Sequence, residues 1–254
     1  MKLQEGVHLH FIPTEKFTTN SIKIRFAAPM KEETVAGRVL VANILEMANA
    51  DYPRTIDFRR KLAHLYGASF STSFSRRGEA HLIDLNVSFV KPEYLPEDAA
   101  LIQEILAVLE AVLFRPLTEK DGFKQQIFEM EKRNLMAYLE SEVEDNFYHA
   151  NLELNALFHQ KSDLQIPRVA TKTLVEKETA QTVFQAYKNM LQLDKIDIFV
   201  AGQFDQVYME KYFKSLPFSF RNPKLALDYQ QEFSNITREK ADRKDANQSI
   251  LELA

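Results

Sequence analysis

The chain contains no cysteine and little glycine or proline, with only 6 glycines and 9 prolines among its 254 residues. The absence of cysteine excludes disulfide frameworks, thiolate zinc sites and a cysteine nucleophile, and it favours a reducing compartment. The scarcity of glycine and proline excludes collagen-like and linker-rich chains and disfavours all-β folds with many tight turns. Long helices joined by few turns are therefore expected.

Long apolar runs and a strong excess of one charge are also missing. No stretch approaches the roughly 20 apolar residues of a membrane-spanning helix, and the first residues lack the basic and apolar segments of a signal peptide. The 36 acidic and 32 basic residues give a net charge of −4, and no basic stretch is interleaved with exposed aromatic residues. We therefore expect a cytoplasmic protein that binds neither nucleic acid nor membranes.

The patterning of apolar residues predicts both strands and helices. Alternating apolar and polar residues predict strands over residues 7–12, 22–28, 68–75, 80–90 and 196–200. Helical spacing predicts helices over residues 34–50, 55–66, 95–114, 118–139, 147–158, 175–191 and 206–213, and Thr118 resembles the start of a capping box. These elements predict an α+β two-layer sandwich, in which a mixed or antiparallel sheet of about five strands is covered on one face by long helices.

Two pairs of residues that contain histidine are candidate metal ligands. His8 and His10 share one face of a predicted strand, and His149 and Glu153 lie four residues apart on a predicted helix. Neither pair has a third ligand at motif spacing, so half-exposed strand histidines and a solvated surface pair are the simpler interpretations. The glycine-rich motifs of nucleotide-binding proteins and the serine elbow of hydrolases are absent from the sequence.

The most informative segment is AGRVLVANILEMANAD, residues 36–51. It resembles the first metal-binding helix of the insulinase or pitrilysin family of zinc peptidases, which includes the mitochondrial processing peptidase and carries H-x-x-E-H on a helix. The resemblance continues in order through GASFSTS, EMEKRNLMAYLE, TLVEKETAQTVFQAYKNML and DKIDIFVAGQFD, and so covers nearly the whole chain. It implies a half-domain of such a peptidase.

The resemblance also assigns the positions of the zinc site. Glu46 stands where the family has the glutamate that polarises the attacking water, and Asn43 and Met47 stand at the two histidine positions. The third ligand of the family is a glutamate seven residues after the Glu of an E-K-R-like turn, which places Tyr138 at that position, with Glu140 nearby as the alternative. Three of the four site positions therefore differ from the family pattern.

The chemistry of these replacements opposes zinc binding. A catalytic zinc requires three protein ligands that bind as neutral imidazole or carboxylate, together with an open water position. Asn43 offers a neutral amide oxygen, Met47 offers a soft thioether suited to Cu(I), and Tyr138 would have to ionise from a pKa of about 10. We therefore expect no bound metal, no cofactor and no catalytic residue, with these positions forming a vestigial site.

The resemblance favours a non-catalytic peptidase homologue. Inactive members of the family pair with an active peptidase subunit, and self-association is the alternative for this chain. Extended peptide substrates are expected to add to an edge strand through backbone hydrogen bonds. In this sequence that strand consists of Ser69, Phe70, Ser71, Thr72 and Ser73. An edge strand that is merely kept polar against aggregation is an equally simple interpretation of these residues.

Two further functions stay open at this stage. One is a metal-dependent hydrolase with an atypical site built from His8, His10 or His149. The other is a purely structural interaction protein that does not contact peptides.

The end of the chain suggests a domain boundary. A charge run over residues 238–245 is followed by a strand-like pattern over residues 249–253. We therefore expect residues 1–233 to form an N-terminal peptidase-like half-domain, and residues 234–254 to contain a linker and the start of a second half-domain. Half of such a subunit would expose apolar surface that its mate normally covers.

Overall fold

The computed structural model describes residues 1–95, 100–223, 225, 238–242 and 249–253, leaving aside the side chains of residues 143 and 144. Within these ranges the strands are β1 (Lys2–Gln4), β2 (Val7–Pro13), β3 (Thr19–Pro29), β4 (Ser69–Arg77), β5 (Ala80–Val90), β6 (Thr118–Glu119), β7 (Gly122–Phe123) and β8 (Lys195–Gly202). The helices are α1 (Glu32–Met47), α2 (Thr55–His64), α3 (Leu101–Phe114), α4 (Gln125–Glu144), α5 (Asn146–Phe158), α6 (Ser162–Gln165), α7 (Lys172–Lys177), α8 (Ala180–Leu193) and α9 (Gln206–Ser215). None of these helices is both long and apolar enough to cross a membrane.

Six strands form one mixed sheet in the order β1-β2-β8-β3-β5-β4. β2 runs parallel to β8, and the other neighbouring pairs are antiparallel. The predicted α+β class with a mixed sheet is confirmed. The sheet has one strand more than the five predicted, because Lys2–Gln4 folds back on β2 as a short edge strand.

The two faces of the sheet differ in polarity. On one face Ile24, Leu85 and Ile198 are fully buried beneath the helices. On the other face the guanidinium of Arg25 donates two hydrogen bonds of 2.7 Å to the carboxylate of Asp84. This alternation of apolar and charged side chains along each strand is the pattern of a sheet that is covered on one face only.

α1 lies at the centre of the helix layer and contacts α4, α8 and β4. Ten of its sixteen residues are buried, which is more than one amphipathic face would require. The packing on several sides fixes the position of the last turn of α1 between the edge strand β4 and the helix α4.

The prediction that a helix begins at Thr118 with a capping box is wrong, because α4 begins at Gln125. β6 and β7 form a hairpin with Lys120 at a φ of 55° in its turn, and α4 begins only afterwards. Tertiary packing stabilises the hairpin, because a Cβ at Gly122 would lie 2.9 Å from the carbonyl carbon of Ala180 and Phe123 is buried. Local sequence spacing contains no information about such contacts.

Two other helix boundaries are set by capping side chains, and one of them differs from the prediction. The single helix predicted over residues 175–191 is divided into α7 and α8, because the hydroxyl of Thr179 accepts a hydrogen bond of 3.1 Å from the backbone of Thr182 and caps α8. Asp145 separates α4 from α5 and caps α5 in the same way. Residues 96–99, in the first part of the helix predicted over residues 95–114, lie outside the described residues.

Residues 249–253 have no regular secondary structure, so the strand predicted there is not formed. Leu251 and Leu253 are exposed. A strand requires a hydrogen-bonded neighbour, and the described part of the chain offers none to this segment. The assignment of residues 234–254 to a linker and the start of a second half-domain stays a prediction.

Candidate functional site

The four residues aligned with the peptidase motif line one cavity of about 320 Å³. Asn43, Glu46 and Met47 lie in the last two turns of α1, and Tyr138 reaches the cavity from α4. Asn43 and Met47 are four residues apart and therefore project from the same side of the helix. The packing of α1 against α4 thus brings together residues that are more than ninety positions apart in the sequence.

A buried carboxylate, Glu131 of α4, completes the polar lining of this cavity. Glu131 is only 4% exposed, and its Oε1 accepts a hydrogen bond of 3.1 Å from the side-chain amide of Asn134. Burial raises the pKa of Glu131, and the negative charge of Glu46 raises it further. The sequence analysis missed this residue as a member of the site, although its spacing of seven from Tyr138 places both on one helix face.

Glu46 is tied to the neighbouring edge strand. Its Oε2 accepts hydrogen bonds from the backbone nitrogen of Thr72 at 2.8 Å and from the Thr72 hydroxyl at 3.0 Å. Its Oε1 accepts a hydrogen bond of 3.2 Å from the guanidinium of Arg59. The carboxylate that would activate water in a zinc peptidase therefore has three hydrogen bonds to protein groups.

The donor set of the cavity does not fit zinc. Burial raises the pKa of the Tyr138 phenol, and the carboxylate of Glu142 raises it further, so the phenolate that could bind a metal is disfavoured. Asn43 and Met47 supply an amide and a thioether, which are poor substitutes for two imidazoles.

Glu140, the alternative to Tyr138 as third ligand position, does not line the cavity. Its carboxylate forms an ion pair of 2.6 Å with the ammonium of Lys172, and more than half of its side chain is exposed. Of the two candidate positions, Tyr138 alone lines the cavity, and its assignment as the third ligand position stays a prediction.

The predicted peptide-binding residues lie on β4, at the edge of the sheet next to this cavity. Ser69, Ser71 and Ser73 are exposed, whereas Phe70 is buried and Thr72 is half-buried. A second cavity of about 380 Å³ lies at the far end of the same strand, lined by Ser75, Arg76 and Tyr148 among others. Two cavities thus border one edge strand.

The histidines of β2 lie on the charged face of the sheet. His10 Nε2 lies 2.9 Å from a carboxylate oxygen of Asp197, and His8 Nδ1 lies 3.9 Å from the same oxygen. The ammonium of Lys195 is 2.6 Å from the other oxygen of Asp197. The carboxylate that these histidines could share with a metal is therefore already neutralised by a lysine.

The pair on α5 has a similar arrangement. The structure brings Asp242 to His149 and Glu153, so that one ligand atom of each lies within 4.8 Å of the others. The ammonium of Lys240 is 2.6 Å from Glu153 and 3.7 Å from Asp242. The ammonium of Lys240 therefore lies beside the two carboxylates, where a metal ion would otherwise bind. The cluster has the arrangement of a surface ion-pair network.

The sequence is similar to that of one bacterial protein that has a descriptive name. No family model matches the chain. The chain is 28% identical over 214 residues to "Probable inactive metalloprotease YmfF" of Bacillus subtilis (strain 168), and the match covers 83% of this chain and 50% of that protein. The chain spans about half the length of this relative.

Solved structures share the fold of this chain. A conserved protein from Enterococcus faecalis V583 is 36% identical, with a TM-score of 0.89 over 93% of this chain and 56% of that one. A peptidase M16 inactive domain from Pseudomonas fluorescens is 13% identical, with a TM-score of 0.66 over 88% of this chain and 51% of that one. A protease from Helicobacter pylori is 10% identical, with a TM-score of 0.63 over 90% and 52%. The last two similarities concern the fold alone.

Proposed function

We propose that the chain is an inactive member of the M16, or insulinase, family of metallopeptidases and that it binds extended peptides without cleaving them. The proposal is supported by the similarity of 83% of the chain to a probable inactive metalloprotease and by the fold shared with a peptidase M16 inactive domain. We also propose that it pairs with an active peptidase subunit of the same family. The chain spans about half the length of the relatives that it matches, so both statements are proposals about the activity and partners of the whole protein.

One observation carries the proposal of peptide binding without cleavage. The cavity that in an active member would hold zinc is lined by Asn43, Met47 and Tyr138, and it adjoins the edge strand β4. Loss of the ligands removes the activated water, because Glu46 without a metal has no bound water to deprotonate. Loss of the ligands does not remove the sheet edge on which a peptide can pair.

The edge strand has the properties that strand addition requires. Its unpaired side offers backbone donors and acceptors, which give affinity with little dependence on the peptide sequence. The exposed serines at positions 69, 71 and 73 keep its outer face polar. The two cavities beside β4 could receive alternate side chains of a bound peptide.

The pairing proposal is supported by exposed apolar side chains on the helices and the following segment. Phe147 is 63% exposed, and Val207 and Phe220 are each 78% exposed. Contiguous apolar patches on a surface often mark an interface with another subunit. These three side chains lie on different elements and are the positions to replace first in a test of pairing. The alternative partner at these residues is a second copy of this chain.

A titration with peptides of increasing length tests the proposal. Affinity should rise with length until the edge of β4 is filled, and mass spectrometry should recover every peptide intact. The substitution Thr72→Pro removes an edge N–H, is tolerated on edge strands and should weaken binding. Affinity that is independent of length would favour a purely structural interaction protein.

Metal analysis tests the competing hydrolase function. Protein purified without added metal should contain no stoichiometric zinc. Stoichiometric metal together with cleaved peptides would contradict the proposal and favour a hydrolase with an atypical site, for which His8, His10 and His149 would be the residues to replace first.

A further inference from the structure

The bond between Glu46 and Thr72 lies on the side of β4 that a peptide would use. Thr72 stands opposite Leu85 of β5 in the antiparallel ladder. In such a ladder the N–H and C=O of one residue point to the same side of the strand. Since the N–H of Thr72 points to Glu46, it points away from β5 and belongs to the free edge.

Thr72 is one of the five residues proposed to pair with a peptide. A peptide strand added along Ser69–Ser73 would place one of its carbonyl oxygens on the N–H of Thr72. Glu46 Oε2 already accepts that hydrogen at 2.8 Å. Two acceptors cannot share one short hydrogen bond, and a carboxylate and a carbonyl oxygen repel each other, so peptide and Glu46 compete for the same donor.

The side chain of Glu46 is placed so that it can be released. Glu46 lies in the last turn of α1, and 24% of its side chain is exposed. Its partner Arg59 is 44% exposed, and exposed ion pairs contribute little to stability. Rotation of the carboxylate towards solvent leaves it hydrated and still close to Arg59.

We propose that Glu46 is an autoinhibitory latch on the edge of β4, and that a bound peptide displaces its carboxylate from Thr72. This inference rests on the proposed function, because it concerns the regulation of the same peptide-binding edge. In this protein the glutamate retained from the peptidase motif acts as a competitor of the peptide backbone.

The test compares Glu46→Ala, Glu46→Gln and the parent protein. The probe is a neutral nonapeptide of alternating serine and valine, acetylated and amidated at its ends and labelled with a fluorophore. Glu46→Ala should bind the probe about tenfold more tightly than the parent, the change that corresponds to removal of one competing hydrogen bond to a charged group. Glu46→Gln should lie between the two, since a neutral amide oxygen is a weaker acceptor.

Glu140→Ala is the matched control. It also removes one carboxylate from the helix surface and breaks one exposed ion pair, but it does not touch β4. Its affinity for the probe should equal that of the parent. A rise in affinity in this control as large as in Glu46→Ala would assign the effect to net charge and overturn the latch.

Amide hydrogen exchange gives a readout that does not depend on the probe. The amide of Thr72 should exchange about tenfold faster in Glu46→Ala than in the parent, and it should be protected again when the peptide is bound. Thr72→Val, which keeps the N–H but removes the hydroxyl bond to Glu46, should show a smaller increase and serves if Glu46→Ala does not fold.

The outcomes separate the latch from the proposed function. Equal affinity of Glu46→Ala and parent, with unchanged exchange at Thr72, would overturn the latch while peptide binding stands. Absence of binding in every protein, with fast exchange at Thr72 in Glu46→Ala, would overturn the proposed function. Dimerisation of Glu46→Ala in sedimentation experiments in place of peptide binding would overturn the peptide as occupant of this edge.

Discussion

At the scale of single residues, a buried polar cluster beneath α1 joins the helix layer to the sheet. The guanidinium of Arg38 donates a hydrogen bond of 3.1 Å to His81 Nδ1 and one of 2.6 Å to Asp194. The other ring nitrogen, Nε2, lies 3.0 Å from the carbonyl oxygen of Arg168. These partners require a neutral ring with its proton on Nε2, because Nδ1 must accept from a guanidinium that only donates.

Burial of His81, together with the positive charge of Arg38, lowers its pKa to about 3. The unfolded chain has a histidine pKa of about 6.5 and binds this proton first as the pH falls. The stabilisation due to neutral His81 is therefore complete above about pH 6.5 and is lost progressively as the pH falls towards about 3.

We predict that His81→Asn flattens the pH dependence of stability. Between roughly pH 6 and pH 4 the free energy of unfolding of the parent should fall by about 1.4 kcal/mol per pH unit more than that of the variant. Chemical denaturation at several pH values measures this slope. His64→Asn, at an exposed position, is the comparison variant for the loss of a histidine elsewhere in the chain. Equal slopes in the parent and His81→Asn would show that His81 is protonated in the folded protein.

At the scale of elements, the site depends on the docking of α1 against α4. Asn43 and Met47 still face the cavity that Tyr138 reaches from the second helix. Replacement of zinc ligands changes only a few side chains. Many other apolar side chains hold α1 against α4, and these are not affected. The scaffold of a metal site is therefore expected to survive the loss of its metal.

We predict that zinc binding can be restored by replacing Asn43 and Met47 with His and Tyr138 with Glu. A ligand that binds only the folded state stabilises it by about 2.7 kcal/mol at a hundredfold excess over Kd. The triple variant should therefore melt at a higher temperature with added zinc, and the parent should not respond. The double variant that keeps Tyr138 is the control and should respond less. A folded triple variant without a zinc response would mean that the two helices hold these positions too far apart.

The short hairpin of β6 and β7 is a second element whose packing can be tested. A Cβ at Gly122 would lie 2.9 Å from the carbonyl carbon of Ala180 and 3.1 Å from the backbone nitrogen of Gln181. Since both obstacles are backbone atoms, we predict that Gly122→Ala lowers the free energy of unfolding by about 1–3 kcal/mol. Gly67→Ala is a useful contrast. Apart from its chain neighbours, the described residues place no atom within 4 Å of its Cβ position, so the cost comes from its φ of +74°. Urea denaturation of both variants measures the difference.

At the scale of the whole molecule, residues 238–242 contact α5 through exposed groups. Lys240 pairs with Glu153 at 2.6 Å, and the guanidinium of Arg238 donates a hydrogen bond of 3.1 Å to the carbonyl oxygen of Leu157. Exposed ion pairs of this kind contribute little to stability, and salt screens them. The end of the half-domain near residue 233 stays a prediction, which a deletion can test.

We predict that deletion of residues 234–254 leaves the melting temperature of the remaining chain unchanged within experimental error. The physical reason is that, among the residues that the structure describes, every member of the main core precedes this segment. Calorimetry of the shortened chain beside the complete one gives the comparison. A markedly lower or non-cooperative transition would show that residues 234–254 belong to the first half-domain.

The sequence by itself was sufficient to predict the α+β class, five strands of the main sheet and the relation to inactive metallopeptidases. Strand and helix periodicities depend on neighbours two to four residues apart, so they can be recognised without a structure. The unsuitability of Asn43, Met47 and Tyr138 for zinc follows from the donor atoms of each side chain and needs no coordinates.

Only the tertiary structure decided which residues surround those positions. Glu131 enters the cavity because α4 packs against α1, and the hairpin at Gly122 replaces a predicted helix because α8 packs against it. The bond from Thr72 to Glu46 joins residues 26 positions apart, on different elements. Such contacts depend on the position of the helix layer on the sheet. That position is determined by the packing of the whole core, so it cannot be predicted from any single segment of the sequence.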